Sequence, residues 1–172
     1  MLYLNIGGIC GALGFSIGLY LILWFKLHLY TGKIGYISKP IDAANLFFIL
    51  LGNIIGCFVC FIVQPHPIAI QLITTKLEAN LFIVFIKAVL CGILIYAAVE
   101  QYKLGISYAP IIAVPAFILC GAEHCIADIC FFITAGDWRL DFIPFIFIVI
   151  FGNSIGSILF RLTLRKNIGI IK

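Results

Sequence analysis

The chain has 172 residues, of which 64% are hydrophobic and only 10% are charged, and its formal net charge is +4. With a mean hydropathy of +1.22, this composition excludes a soluble domain, and the few charges form no basic patch that would bind nucleic acid. We therefore expect an all-α integral membrane protein that crosses the lipid bilayer of the cell membrane several times.

Five helical spans are predicted from the apolar runs. Runs without any charged residue occupy Gly7–Phe25, Ala43–Val63 and Phe142–Phe160, each close to the roughly 20 residues that cross about 30 Å of hydrocarbon. Two further spans, Ala79–Val99 and Ala109–Ala135, contain ionisable residues. All five are expected to be helices, because lipid leaves the edge of an open sheet without hydrogen-bond partners.

The basic residues between these spans predict an orientation. When the loops are assigned alternately to the two sides, eight basic residues fall on the side that carries the C-terminus. Only Lys76 and Arg139 fall on the other side. Because cytoplasmic loops carry the excess of lysine and arginine, the N-terminus is expected outside and the C-terminus in the cytoplasm.

Three polar residues, Glu123, His124 and Asp128, interrupt the fourth span. Ionisable groups are costly in hydrocarbon and usually line a water-filled path, so they are functional candidates, although a histidine on an apolar face is ordinarily a satisfied core residue. Asp128 lies four residues after His124, on the same helical face, with Lys87 of the preceding span as a candidate partner. Glu123 points about 100° away and is expected to accept hydrogen bonds at a helix break or subunit contact.

The same five-residue word, Gly-Asn-x-Ile-Gly, occurs at Gly52–Gly56 and again at Gly152–Gly156. Glycines four residues apart let two helices approach closely, and an asparagine in the same turn can hydrogen-bond across the contact. Asn53 and Asn153 are therefore expected to be structural polar residues. Each word alone indicates only a packing face, but its recurrence 100 residues later indicates a repeat.

The residues before each word extend this internal repeat. Phe15 and Phe117 lie at similar distances before the two words, and a polar break follows each phenylalanine, at Leu29–Gly32 and at Gly121–His124. The predicted halves are residues 1–63 and 79–165, each with one interrupted helix and one Gly-Asn helix. Paired interrupted helices in a repeated membrane protein indicate a central permeation site. By subtraction, the first half lacks about 24 residues, the length of one crossing.

Four elements of the chain resemble the formate/nitrite transporter family. Gly121–Asp128, which reads Gly-Ala-Glu-His-Cys-Ile-Ala-Asp, is similar to that family's Gly-Phe-Glu-His-Ser-Ile-Ala-Asn motif. Leu29–Gly32 resembles its Leu-Phe-Thr-Gly loop, and the two Gly-Asn-x-Ile-Gly words match its third and sixth helices. Lys87–Gly92 is similar to the basic residue and Leu-Cys-Asn element of its fourth helix. The likeness extends from Phe15 to Phe160.

The resemblance implies a pentameric anion channel with an aquaporin-like inverted repeat and two interrupted helices. In the family, a histidine lies in the middle of the pore between two hydrophobic constrictions, each built around a phenylalanine, and a threonine of the broken loop hydrogen-bonds it. Those roles would fall to His124 and Thr31, and Lys87 would attract anions to the outer vestibule. The constrictions would correspond to Phe15, Leu29 and Phe117.

The chain departs from the family pattern at several places. The family's first helix has no counterpart, and Asp128 stands where the motif has asparagine. Lys33 takes the place of an asparagine or serine after the loop, and Gly92 replaces the asparagine of the Leu-Cys-Asn element. These changes bear on the packing of the oligomer and on the sealing of the pore.

The leading hypothesis is a channel, not an enzyme, for small monovalent anions such as formate, nitrite or hydrosulfide. A dry constriction costs an anion its hydration but spares the neutral acid, so crossing is easiest after protonation. An imidazole with an ordinary pKa near 6.5 suits a proton donor, and His124 is predicted to fill that role without any cofactor. Protons are therefore expected to be partners of transport.

Two alternatives stay open from the sequence. All seven cysteines fall within predicted spans, where packing is the expected role. Cys57 with Cys60, or Cys120 with His124, Cys125 and Asp128, would instead suit a membrane-embedded metal or redox site. A non-conducting protein that keeps the fold is the other alternative.

Overall fold

Helices make up most of the described part of the chain in the computed structural model, which describes residues 8–59 and 67–168. Within these ranges there are eight α-helices and no strand. The helices are α1 Gly8–Trp24, α2 Tyr30–Lys33, α3 Pro40–Phe58, α4 Pro67–Leu77, α5 Leu81–Lys103, α6 Ala109–Leu119, α7 Cys125–Ala135 and α8 Phe142–Ile168, with a 3-10 turn at Ile34–Tyr36. The predicted all-α fold class is confirmed.

Three helices are long and apolar enough to cross a membrane, namely α3, α5 and the Phe142–Leu164 part of α8. The shorter apolar helices are α1, α6 and α7. The fourth predicted span, Ala109–Ala135, is thus divided into the half-helices α6 and α7, as its polar residues indicated. The second predicted span corresponds to α3, which ends at Phe58. The predicted continuation from residue 60 to Val63, which includes Cys60, lies outside the described residues.

Helix α4 was not predicted. The residues between the second and third spans were expected to form a loop, but Pro67–Leu77 is helical and packs against α7. Eleven residues are too few to cross the membrane, so the length of apolar runs predicted no helix here. This helix brings Lys76 into the interior, where the side chain is only 14% exposed.

The closest helix pair is α5 with α8, and glycines make it possible. A Cβ atom on Gly156 would overlap the main-chain carbonyl of Val89, and one on Gly152 would meet the Ala88 side chain at 2.6 Å. Gly92 meets the backbone of Asn153 in the same way from the other side. The second Gly-Asn-x-Ile-Gly word is therefore a helix-packing face, as expected.

The first Gly-Asn-x-Ile-Gly word has different surroundings. A Cβ atom added to Gly52 or Gly56 would find nothing within 4 Å. Helix α3 is correspondingly open on that side, where Gly52 and Gly56 line a cavity of about 470 Å³. Within the described residues, the first half has no helix that packs on its glycine word as α5 packs on Gly152 and Gly156.

Asn153 joins α8 to the break between α6 and α7. Its Oδ1 accepts the N–H of Cys125 at 2.9 Å, and its Nδ2 donates to the carbonyls of Glu123 and Ala88, both at 2.8 Å. The side chain is fully buried. These bonds satisfy main-chain groups that the interrupted helix leaves free at membrane depth.

Asn53 does the same for the first break. Its Oδ1 accepts the N–H of Tyr30 at 2.9 Å, and its Nδ2 donates to the carbonyl of His28 at 3.0 Å. Tyr30 begins α2 just as Cys125 begins α7, and His28 stands two residues before it just as Glu123 does before Cys125. The two asparagines therefore hold the two breaks by the same pair of hydrogen bonds, which is the atomic form of the predicted repeat.

Candidate functional site

The two breaks meet at a hydrogen bond between Thr31 and His124. The Thr31 Oγ1 and His124 Nε2 atoms are 2.9 Å apart, and both residues are buried. His124 also caps α7, because its Nδ1 accepts the main-chain N–H of Ala127 at 3.2 Å. A nitrogen that accepts an N–H carries no proton of its own, so this geometry fits a neutral imidazole whose hydrogen is on Nε2 and points to Thr31.

Two phenylalanines lie against this histidine. Phe15 of α1 and Phe117 of α6 meet edge to face with ring centroids 6.3 Å apart. Phe117 also stacks on the His124 ring at 5.8 Å. The half-helices α1 and α6 bring these rings together, since they pack closely along their length. The structure thus places Phe15, Phe117 and His124 in one cluster. This corrects the expectation of one phenylalanine in each of two constrictions with the histidine between them, because the packing of α1 on α6 brings both rings to the same point.

Three cavities adjoin these residues. The largest, of about 470 Å³, is lined by Leu29, His124 and both phenylalanines. A cavity of about 100 Å³ shares Phe15, Phe117 and His124 with it. A third, of about 420 Å³, shares Leu29 with the largest one. Leu29 and the phenylalanine pair therefore stand at the two boundaries between consecutive cavities, and His124 contributes to the walls on both sides of the phenylalanines.

The third cavity is basic. Lysines from three different elements contribute to its wall: Lys26, Lys33 and Lys103. Lys26 has a left-handed backbone with φ of +56°, which is uncommon outside glycine and ends the first interrupted helix abruptly. This cavity would concentrate anions at one end of the path.

The smallest cavity is bordered by a charged cluster of Lys76, Glu123 and Asp128. Lys76 forms salt bridges with Glu123 and with Asp128, the latter between Nζ and Oδ1 at 3.0 Å. The exposed fractions of the two carboxylate side chains are only 5% and 2%. Glu123 therefore accepts a hydrogen bond at the helix break, as expected.

The predicted partners of Asp128 were wrong. Its carboxylate pairs with Lys76 of α4, and neither with His124 nor with Lys87. Lys87 is half-buried on α5, where its Nζ lies 3.7 Å from the position that a Cβ of Gly121 would take. Lys87 lines none of the three cavities described above. Its predicted attraction of anions stays a prediction.

Lys76 was the site residue that sequence reasoning missed. It lies in a short helix outside every predicted span, so it was counted as a loop charge. A usable signal existed in the charge balance, because two acids in one span require a cation from elsewhere. The candidates would have been Lys76, Lys87 and Lys103, the three lysines that most closely precede this span.

The alternative metal site finds no support in the geometry. In the described ranges, no three histidine, cysteine or acidic side chains converge as a metal site would need. Cys120 is exposed on the surface, whereas both His124 nitrogens already face hydrogen-bond partners.

Comparisons with known proteins agree with this arrangement. A solved structure described as a "Pentameric formate channel with formate bound" is similar to the chain with a TM-score of 0.81, at 22% sequence identity, over 95% of this chain and 83% of that one. At this identity, the likeness shows the fold. A search of curated proteins gave no significant match.

A family model described as "Formate/nitrite transporter" matches residues 3–166, which is nearly the whole chain. The match includes both breaks, both Gly-Asn-x-Ile-Gly words and the charged cluster. Together with the channel-like fold, it identifies a membrane transport protein and not an enzyme. The chain belongs to the formate/nitrite transporter family.

Proposed function

We propose that the chain conducts small monovalent anions such as formate or nitrite, and that conduction is linked to protons at His124. The observation that carries the proposal is the position of this histidine. It lies beside the phenylalanine pair, lines the cavities on both sides of it, and is held by Thr31.

The chemistry of the path suits a small anion that crosses as its neutral acid. The lysine-lined cavity attracts the charged form, while Leu29, Phe15 and Phe117 offer it no hydrogen bonds. An anion that enters the apolar section loses several kcal/mol of hydration free energy or more, whereas its neutral acid avoids that cost. His124 Nε2 and Thr31 Oγ1 are polar groups at this point, so they hydrogen-bond the anion while it takes up a proton.

The proposed assembly is a homo-oligomer of five subunits in the lipid bilayer of the cell membrane. The similar solved channel is described as pentameric, and its fold covers most of this chain. The mass of the complex in native mass spectrometry tests this number directly.

Uptake into proteoliposomes tests the function. Formate and nitrite uptake would be followed by stopped flow from about pH 5 to 8, the range in which histidines and small acids change charge. We expect uptake that rises steeply as the pH falls, and a changed pH dependence in His124→Ala. His28→Ala is the matched control, because this exposed histidine takes part only through its main-chain carbonyl. Folded protein that conducts no more than empty liposomes would contradict the proposal.

A further inference from the structure

The cluster of Lys76, Glu123 and Asp128 contains two carboxyl groups but one ammonium group. If both carboxyls were ionised, the cluster would carry one net negative charge in the interior of a membrane protein. Burying an unbalanced charge is far more costly than burying a neutral set, so such a cluster binds a proton where it can. The charge count therefore indicates one protonated carboxyl.

The hydrogen bonds indicate the same. Asp128 Oδ1 accepts from Lys76, but Oδ2 is fully buried and finds no hydrogen-bond partner among the described residues. The carboxyls of Glu123 and Asp128 both contact the same Lys76 Nζ, which brings them side by side, yet two ionised carboxylates can only accept. The contact becomes a hydrogen bond only if one of the two carboxyls carries a proton.

Among the residues that the structure describes, no other side chain around Asp128 supplies the missing positive charge. The titratable neighbours from the elements packed against it are Lys76 of α4, Glu123 and His124 of the break, Cys125 of α7 and Cys91 of α5. Lys76 is the single cation among them, and it already forms salt bridges with both acids. His124 cannot become a cation without giving up the Ala127 N–H, since its Nδ1 accepts that group.

Asp128 also has access to the path. Together with His124 and the two phenylalanines it lines the cavity of about 100 Å³, which is large enough for a small anion or a few water molecules. An acid held there faces the anion at the boundary where dehydration begins.

We propose that the Glu123–Asp128 pair holds one transferable proton and that Asp128 delivers it to the permeating anion, while His124 acts as a neutral hydrogen-bonding residue. This inference rests on the proposed function. It keeps the proton linkage at the level of His124 but replaces the histidine by Asp128 as the proton donor, so that His124 affects the pH dependence by holding the anion where Asp128 can reach it. In the transfer step, the O–H bond of the Asp128 carboxyl breaks and an O–H bond to the anion forms. Asp128 remains as a carboxylate beside Lys76, and a proton from the bulk solution, relayed through water that enters the cavity, restores the O–H bond.

Difference infrared spectroscopy of the purified protein tests the stored proton without any transport. At neutral pH we expect the carbonyl band of a protonated carboxyl group that is shielded from solvent. If either acid is removed, the remaining carboxylate is balanced by Lys76 and needs no proton. The band should therefore be lost in Asp128→Asn and in Glu123→Gln. The band should persist in Lys76→Gln, because without the lysine no positive charge balances the two carboxylates and at least one of them stays protonated.

This pattern separates a stored proton from a purely structural salt bridge. If the cluster were only a structural contact, intact protein would show no band, or the Lys76→Gln variant would behave like the two acid variants. Either result would overturn the inference. Asp141→Asn is the control, since this acid pairs with Arg139 and its side chain is 47% exposed. Its spectrum should match that of the intact protein.

Transport provides the second readout. Vesicles of phosphatidylethanolamine and phosphatidylglycerol that contain a pH-sensitive dye would report protons and formate together. We expect about one proton per formate in the intact chain and in Asp141→Asn, because the neutral acid is the form that crosses. The ratio should fall toward zero in Asp128→Asn. An unchanged ratio would overturn Asp128 as donor, while a band without any flux would contradict only the proposed function.

Discussion

Thr31 and His124 lie 93 residues apart in the chain, yet they share a buried hydrogen bond of 2.9 Å. We expect Thr31→Val to lower formate uptake by roughly tenfold, because loss of a buried hydrogen bond costs about 1 to 3 kcal/mol and tenfold corresponds to about 1.4 kcal/mol. Valine keeps the shape of threonine but leaves His124 Nε2 without a partner. Uptake by variant proteoliposomes at constant protein density provides the measurement.

Thr31→Ser is the matched control for this residue. Serine retains the hydroxyl group and loses one methyl, so uptake should stay within a few-fold of that of the intact chain. Equal losses in the valine and serine variants would show that packing of the methyl group matters, and that the hydrogen bond does not.

Residue by residue, the sequence was most informative where motifs fixed both ends of a contact. The pairing of Thr31 with His124 was implied by the resemblance of two motif words to those of the family. The contact of Phe15 with Phe117 was not predicted, because the resemblance implied one phenylalanine in each of two constrictions. The partner of Asp128 did not follow, because salt bridges depend on how neighbouring helices turn their faces. Lys76 and Lys87 are both near in sequence, and only packing of α4 against α7 distinguishes them.

At the scale of helices, the two Gly-Asn-x-Ile-Gly words offer a comparison within one molecule. Gly156→Ala should destabilise the fold by about 2 kcal/mol or more, since the added methyl group must displace the Val89 main chain on α5. Gly56→Ala should have little effect, because nothing lies within 4 Å of the added atom. Unfolding of each variant in detergent, followed by circular dichroism, measures the difference.

Gly52→Ala extends the comparison, since its surroundings match those of Gly56. If alanine at Gly56 or Gly52 proved as harmful as at Gly156, the prediction would be wrong. Such a result in membranes, but not in detergent, would show that another helix covers this face in the assembled protein.

The helices themselves were predictable to different degrees. Long apolar runs identified α3, α5 and α8, because crossing about 30 Å of hydrocarbon requires a length that chance rarely provides. The break between α6 and α7 could also be predicted, from polar residues in a span. Helix α4 could not be predicted, since eleven residues of ordinary composition follow no pattern that distinguishes a short helix from a loop.

Across the whole molecule, the two halves are more alike in the hydrogen bonds of their asparagines than in the packing of their helices. Asn53 and Asn153 each bind the first N–H of a half-helix and a carbonyl two residues before it. The repeat could be predicted from the sequence because both anchors belong to one word. The different packing of the two words could not be predicted, because the glycines in both copies permit a helix to approach closely but do not show whether one does.

The orientation of the molecule in the membrane yields the last prediction. Lys26, Lys33 and Lys103 line one cavity and so share one side, whereas Lys76 is buried in its cluster and adds no loop charge. Without Lys76, the excess of basic residues on the side of the C-terminus is larger than the excess counted from the sequence. Each lysine near the anionic cytoplasmic surface contributes about 1 kcal/mol, so that side should be cytoplasmic.

Two exposed leucines test this orientation, namely Leu104 after α5 and Leu140 after α7, which are 58% and 81% exposed. In intact cells, a membrane-impermeant maleimide should label Leu140→Cys and spare Leu104→Cys, with the labelled peptides located by mass spectrometry apart from the native cysteines. A permeant maleimide should label both and serves as the control for reactivity. The opposite pattern would place the lysine-lined cavity outside the cell, where it would collect anions for entry and not for release.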